Sequence, residues 1–570
     1  MYALLRRFAG NSIRTNQLRC YSSFTPRDVV RDTADEAGTL LTRFAKHIAL
    51  VRYQDKENVR DVPTTVRYAD YFPITDGRYF QRSVEKTDAS QLPALIILAS
   101  SYRSNAALPM YATALNTLDA HAVAQLAKMD TSTVLETLYS FLFLIPNWLK
   151  RTDFHQEAVR RLAKEDFRDN KERFLQVCFY MGLQKKQTIS NDFQALLEEQ
   201  LPKHLSALTE LDLALISNAA YKTSTVITGS VKEAYDTTLA NAVLGLKITP
   251  ENSALLISLI KALRLQRVRD ERVCQHLQQI CLDSTQITQI EPRGLGHIFA
   301  FFAEQRWDQE ECMAVVVERL MTLKPGDLRA KDLATLLWSS AQLNCQLSAA
   351  QLRQLELAAL QKLDHGEYNF YPDNLIDTCL SLYTLGHYSK DLIDAAEELK
   401  ATQRHQKAQP KVDSRLTVLR SAVAIEHPSL AKLKTEQVFK EFTRAPGYLL
   451  RDRTDFTKYA EQLGLDAEIE GVDLVCPISG INIPSLRVQT TGDQASVYFV
   501  ELLTPEQTLK FSKKPTSLVR LKQRLLDSLG QKVVLLHSGN MATTAKQLHA
   551  LLQPAVESIE DTEVVQGLSN

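Results

Sequence analysis

The chain has 570 residues, 45% of them hydrophobic and 24% charged, enough apolar material for one very long domain or several ordinary ones. Lys+Arg and Asp+Glu each total 67. That balance excludes a globally basic nucleic-acid binder and leaves only regional patches to attract a polyanion.

At the start, Arg6, Arg7, Arg14, Arg19 and Arg27 stand among Leu4, Leu5, Phe8 and Ile13, and the first acid is Asp28. An Arg-rich, acid-free, amphipathic beginning ending in "RCYSS" has the composition of a mitochondrial transit peptide, expected over 1–22, with an N-terminal extension over 23–89. A basic cytosolic tail is the alternative. "MYALLRRFAG" lacks the continuous apolar core of a secretory signal. No later stretch approaches the roughly 18 uninterrupted apolar residues of a membrane span, so no membrane insertion is expected. The eight cysteines are scattered, with no C-x-x-C and no His at ligand spacing, and read as reduced, buried thiols.

From residue 90 to 445 a repeat is visible. Apolar helix-period runs begin at Leu95, Leu135, Leu175, Leu213, Leu255, Leu295, Leu333, Leu375 and Leu416, in steps of 40, 40, 38, 42, 40, 38, 42 and 41 residues. Between them lie more polar amphipathic segments such as "RDERVCQHLQQICLDS". Each unit therefore reads as two helices, one nearly all apolar and interior, the other with a polar outer face. One such pair cannot bury its apolar side alone, so neighbours must stack as an α-solenoid. An irregular all-helical domain gives similar spacings; either way the scaffold is α-helical, and it can serve protein or RNA. Trp148, Trp307 and Trp338 lie in or beside apolar runs and read as core.

The period then changes. "EIEGVDLVCPI", "IPSLRVQ" and "SVYFVELL" are rich in β-branched and aromatic residues, and are followed by the helix "TSLVRLKQRLLDSLG", the strand "KVVLLHS" and the helix "TTAKQLHALLQ". Three strands, helix, strand, helix make a small α/β domain, assigned to 446–555, before an acidic tail at 556–570 expected to be disordered. In the first of these helices Leu518, Leu521, Leu525 and Leu529 recur at helical spacing and are expected to face the sheet, with Gly530 as its cap. Residues 507–532 hold seven Lys+Arg against one Asp, a local charge of +6. Such density suits phosphate contacts, which give affinity without sequence information. An ordinary solvated helix face, with Arg524 paired to Asp527, is the plain alternative.

"YFVELLTPEQTLKF" followed by "TSLVRLKQRLLDSLGQKVVLL" resembles the RAP domain, a C-terminal module of organellar RNA-binding proteins. Glu501 and Pro505 match the family's strand motif, while Lys522, Arg524, Leu525, Gly530, Val533 and Val534 match its helix and following strand; Asp473 in "GVDLVCP" resembles the upstream strand. Leu503-Thr504 replaces the family's Asp-Gly, and the Trp usual after the last strand is absent. A presequence, degenerate helical repeats and a terminal RAP-like domain, in that order, resemble FASTK-like and octotricopeptide-like architecture.

The resemblance implies a restriction-endonuclease-like fold for the terminal domain and a role in the mitochondrial matrix, with RNA (a transcript or rRNA) and protein subunits of a mitochondrial ribonucleoprotein as partners. Lys510, Lys513, Lys514, Arg520, Lys522 and Arg524 are then the expected phosphate-holding cations, and Asp473, Glu501 and His537 a remnant of a nuclease site. Such a site needs clustered carboxylates for a divalent metal and a Lys two residues after the second acid; that position holds Leu503, which neither coordinates metal nor moves a proton. No catalytic residue, metal or cofactor is expected: there is no G-x-x-x-x-G-K-[ST], no G-x-G-x-x-G after a strand and no H-E-x-x-H. The competing readings are a protein-binding scaffold and a metal-dependent nuclease.

Overall fold

The computed structural model describes residues 77–548 except 101–108, 146–148, 185–189, 250–252, 323–327, 370, 403–409, 452, 492–495 and 538–546. The expected transit peptide, most of the extension, Trp148 and the acidic tail lie outside the described residues. The architecture is mainly α: an α-solenoid of helix pairs with a small α/β domain at the C-terminal end. Two compact units divide the chain, one running to Val268 and one from Arg269 onward, apart from an exchange at 248–250.

In the first unit the apolar helices are α1 (Leu92–Ser100), α2 (Thr131–Leu144), α3 (Lys171–Gly182), α4 (Glu210–Thr223) and α5 (Ser253–Gln266), each packed on the next in the series. They start where the sequence supplies N-caps. Asp130 accepts from the Thr133 amide, Asn170 from that of Arg173, and Thr209 forms a capping box with Asp212. In the second unit the same role falls to α6 (Pro292–Gln305), α7 (Ala330–Gln342), α8 (Pro372–Thr384) and α9 (Pro410–Glu426), three of which open on proline. All nine sequence-marked leucines fall inside these nine helices.

A second repeat, independent of the leucines, sits at the helix ends. Ser224, Arg267, Arg306, Asn344 and Gly386 all have positive φ, between 56° and 84°. In each case the amide of the next residue donates at 2.9 Å to a carbonyl five positions back: Thr225 to Ala220, Val268 to Leu263, Trp307 to Phe302, Cys345 to Ser340 and His387 to Leu382. These are left-handed caps of α4 to α8, spaced 43, 39, 38 and 42 residues apart. Four of the five positions are not glycine, so the caps are invisible to a search for glycine stops.

The polar outer helices behave as their composition requires. In the helix Glu271–Leu282, Val273, Cys274, Leu277, Ile280 and Cys281 are buried on one side, which puts both cysteines on the apolar stripe. Trp307 is buried and Trp338 half-buried. No helix among the described residues is long and apolar enough to cross a membrane.

The α/β domain contains α10 (Thr454–Leu463), the strands β1 (Ile469–Val475), β2 (Ser485–Thr490), β3 (Val497–Leu503) and β4 (Lys532–His537), and α11 (Ser517–Ser528) between β3 and β4. Strand order is β1-β2-β3-β4; β1 and β3 both run antiparallel to β2, and β4 runs parallel to β3 through the α11 crossover. On one face Leu486, Val488, Tyr498, Val500, Leu502, Val534 and Leu536 pack against Phe456, Tyr459 and Leu463 of α10. Alternation sends Ser485 and Glu501 to the opposite face, under α11. Gly530 ends α11 with φ 71°, and the Gln531 amide returns to the Leu526 carbonyl. Of the expected last helix only Gln547 and Leu548 are described.

The expected burial of α11 needs correction. Leu521 and Leu525 are buried, but so are Val519, Lys522 and Leu526, while Leu518 is 36% exposed and Leu529 only partly covered. The reason is that α11 packs against β4 and also against α7, α8 and α9, so it has two covered flanks where a surface helix has one. For the same reason the expected break at 445/446 runs inside the second unit, whose helices and sheet are one compact body.

Close packing of the helix pairs makes a test. A Cβ on Gly182 would lie 2.7 Å from both Cα and Cβ of Ala219, on the neighbouring α4, whereas a Cβ on Gly296 meets nothing within 4 Å. Gly182→Ala is expected to destabilise by about 1–3 kcal/mol, and Gly296→Ala to stabilise by roughly 0.5–1 kcal/mol by removing a helical glycine. Urea unfolding of the two variants checks the difference in sign.

Candidate nucleic-acid interface

The six cations singled out in the sequence come from α11 and the loop before it. Along α11, Arg520 and Arg524 are one turn apart and Lys522 projects from the other flank. Arg524 Nε and Nη2 reach the Glu426 carboxylate at 2.8 and 3.2 Å, and Nη2 also donates to the Tyr383 carbonyl at 2.9 Å. Its guanidinium lies 5.4 Å from the centre of the Tyr383 ring. Arg520 Nη2 donates at 2.9 Å to the Ala341 carbonyl, and Ser517 Oγ bonds Gln342. Ala341 and Tyr383 lie in the last turns of α7 and α8, where the helix dipole is negative, and their carbonyls also accept from the Asn344 and Gly386 amides at 3.3 and 3.0 Å. The two arginines therefore act as C-terminal caps for helices far away in sequence. Burial, reinforced by the charge of Arg524, pushes Arg520 down to about 10, and it stays protonated at neutral pH.

Lys522 turns toward the sheet and is fully buried. Its ammonium lies 2.8 Å from the Glu501 carboxylate and 2.8 Å from the Ile483 carbonyl, and also donates to Ser485 Oγ, which itself donates to Glu501 at 2.6 Å. Three N–H donors meet three acceptors, so the buried charge is paired and its hydrogen bonds are complete.

The loop before α11 is pinned as well. A bridge between Thr508 and Pro515 closes it. Buried Asp308 accepts from the Phe511 and Ser512 amides at 2.8 and 3.0 Å, and the Lys510 amide donates to the Arg306 carbonyl. The Phe511 ring meets the Trp307 ring edge-on at 4.8 Å; Lys510 Nζ lies 4.9 Å above Trp307 and pairs with Glu271. Trp307, read as repeat core, is the platform on which this loop rests.

Of the six expected phosphate-holding residues, only Lys513 and Lys514 are exposed. Lys522 has no accessible surface, so the expectation that it holds phosphate is corrected: it neutralises Glu501. Arg520, Arg524 and Lys510 are engaged by helix-terminal carbonyls, Glu426 and Glu271, because the helical array supplies anionic ground closer than any solvent ligand. Arg524 takes Glu426 as its partner and not Asp527, the partner in the plain alternative. The expected remnant site is also taken apart. Asp473 is exposed and lies 3.6 Å from Arg487, Glu501 is buried with Lys522, and His537 is exposed at the end of β4. No group of three or more His, Cys, Asp or Glu able to hold a metal exists among the described residues.

No family model matches the chain. It is similar to a human protein. Over 209 residues it is 24% identical to the Homo sapiens FAST kinase domain-containing protein 5, mitochondrial, a stretch that covers 36% of this chain and 26% of that relative. The chain thus matches about a quarter of the relative's length.

Sequence reasoning missed Asp308, Glu426, Glu271 and Ser485, the partners that fix the cations. None carries a local signal: Asp308 lies 203 residues before the amide it receives, and Glu426 lies 98 before Arg524. The buried pair predicts a strong non-additivity. Lys522→Met or Glu501→Leu alone should each cost about 3–5 kcal/mol by stranding a buried charge, whereas the double variant should cost markedly less than the sum. A double-mutant cycle in denaturant measures the coupling.

Proposed function

We propose that this chain is a non-enzymatic, RNA-associated protein of the mitochondrial matrix, acting in organellar RNA processing, stability, translation or mitoribosome assembly. In this reading the terminal domain is RAP-like and keyed into the second helical unit. The observation that carries it is a conjunction in one chain. An Arg-rich, acid-free start precedes helix pairs recurring near every 40 residues and a β-β-β-α-β domain with Glu501, Lys522, Arg524 and Gly530 at the family's positions. Similarity to a human protein named as mitochondrial supports the same compartment.

Contact with RNA is assigned to exposed ground on the loop, Lys513 and Lys514, and α11 is assigned to docking. The non-catalytic part rests on Glu501: its carboxylate is 1% exposed and held by Lys522 and Ser485, with no open face for a metal or water. Ultraviolet crosslinking of purified full-length protein to mitochondrial RNA, with peptides mapped, should mark the 505–514 segment and leave 517–528 unmarked. Crosslinks concentrated on 517–528 would overturn the assignment, and the absence of crosslinks together with background affinity would end the RNA reading. Incubation of RNA with Mg²⁺ or Mn²⁺ should give no cleavage; cleavage that disappears in Glu501→Ala would make the protein an enzyme.

A second reading has its own observation. Four of the six cations are already occupied within the chain and the charge is balanced overall, which suits a scaffold that binds protein subunits of a mitochondrial ribonucleoprotein. Partners retained stoichiometrically after nuclease treatment, with RNA affinity at background, would select it.

A further inference from the structure

A cleft of about 350 Å³ opens within the second unit where the docking loop meets the cap of α6 and the start of the helix Glu271–Leu282. That volume is at the small end of ligand clefts, about 300–1,000 Å³. Its lining carries four cations, Arg269, Arg306, Lys510 and Lys513, against two acids, Asp270 and Glu271. Both acids are occupied. Asp270 caps the helix and pairs with Arg272, and Glu271 pairs with Lys510. Burial pushes the Cys274 thiol up to about 12, so the one thiol in the wall stays neutral.

The three remaining cations are weakly compensated. Among the described residues Arg269 forms an ion pair only with Glu506, at 3.8 Å, with both side chains more than half exposed. The ammonium of Lys513 donates to the Lys510 carbonyl, a neutral group, and the half-buried guanidinium of Arg306 forms no ion pair among the described residues. Arg306 and Lys513 share a backbone feature: both are non-glycine residues at positive φ, 56° and 58°. That conformation costs roughly 1–2 kcal/mol for a residue with a Cβ. Glycine stands at the equivalent cap of α8, so the fold does not require a long cation there. Burial, then the like charge of Arg269, disfavours the charged form of Arg306, and the Glu506 carboxylate offsets this only in part.

We propose that this cleft binds phosphate groups of a single-stranded RNA backbone, with Arg269, Arg306 and Lys513 as the contacting residues. The inference rests on the RNA reading above and gives it a place. It also explains why the basic helix is not the contact surface: α11 and Asp308 hold the loop that brings Lys513 into the same lining as Arg306.

Positive φ makes glycine the fold-sparing replacement at two of the three positions. Full-length Arg269→Gln/Arg306→Gly/Lys513→Gly is compared with wild type and with Lys432→Ala/Lys440→Ala, which removes cations outside the cleft. Fluorescence anisotropy with a short single-stranded RNA is run across a salt series. Wild type and control should bind alike, and the triple variant should lose about tenfold or more in affinity at low salt. The slope of log affinity against log salt should shrink by about 2, at about 0.7 for each phosphate that the variant no longer neutralises. Equal affinity and slope in triple variant and wild type, with melting temperatures unchanged, would overturn the cleft assignment and leave the RNA reading standing. No RNA binding by any of the three would defeat that reading itself. Binding of inorganic phosphate or a nucleoside monophosphate without RNA binding, lost in the triple variant, would make the cleft a free-anion site and overturn the proposal in its RNA form.

Discussion

The second unit depends on one electrostatic arrangement: a cationic helix laid against the carboxyl ends of other helices. The Ala341 and Tyr383 carbonyls at the ends of α7 and α8 each accept one amide from just beyond the helix and keep a second lone pair, at the negative end of the helix dipole, for a further donor. Arg520 and Arg524 supply that additional donor, and Glu426 of α9 neutralises the second. Here the guanidinium is better suited than an ammonium, because its fixed fork reaches a carboxylate and a carbonyl together. The density of positive charge near the chain end thus has an internal cause, the negative ends of a helix stack.

Lys522 completes the arrangement from the opposite flank. It sits where a one-sided helix would place leucine, and its partner Glu501 sits where a half-buried strand would place an apolar residue. Neither is tolerable alone in the interior, and each makes the other possible. The pair fixes the rotation of α11 about its axis, because turning the helix by one residue would strand both charges. The arginines on the other flank then have a defined direction in which to point. Sheet, helix and α7 to α9 are in this way linked through polar contacts whose geometry is more exacting than apolar packing, consistent with their forming one compact body.

For function, the arrangement moves attention from the helix to the loop that precedes it. Asp308 and Trp307 hold that loop, and what they leave outward are Lys513, Lys514 and the cleft shared with Arg269 and Arg306. A net charge of zero is compatible with a nucleic-acid contact of this kind, since a few neighbouring cations act over about a Debye length whatever the total for the chain.

The sequence by itself determined the helix pairs and the strands. Leu95 to Leu416 all fall in the inner helices, and "IPSLRVQ" and "SVYFVELL" are strands, because hydrophobic periodicity is set by local geometry and is written into neighbouring residues. Gly530 was legible for the same reason. The left-handed caps at Ser224, Arg267, Arg306 and Asn344 were not, since those residue types carry no turn signal as strong as glycine. Whether a lysine on an amphipathic helix meets solvent, a phosphate or a buried glutamate is decided by what covers it, and Glu501, Glu426 and Asp308 arrive from 21, 98 and more than 200 residues away. Charge is visible in a sequence, but its partner is not. Only the tertiary structure separated the cations that hold the molecule together from those left exposed, such as Lys513 and Lys514.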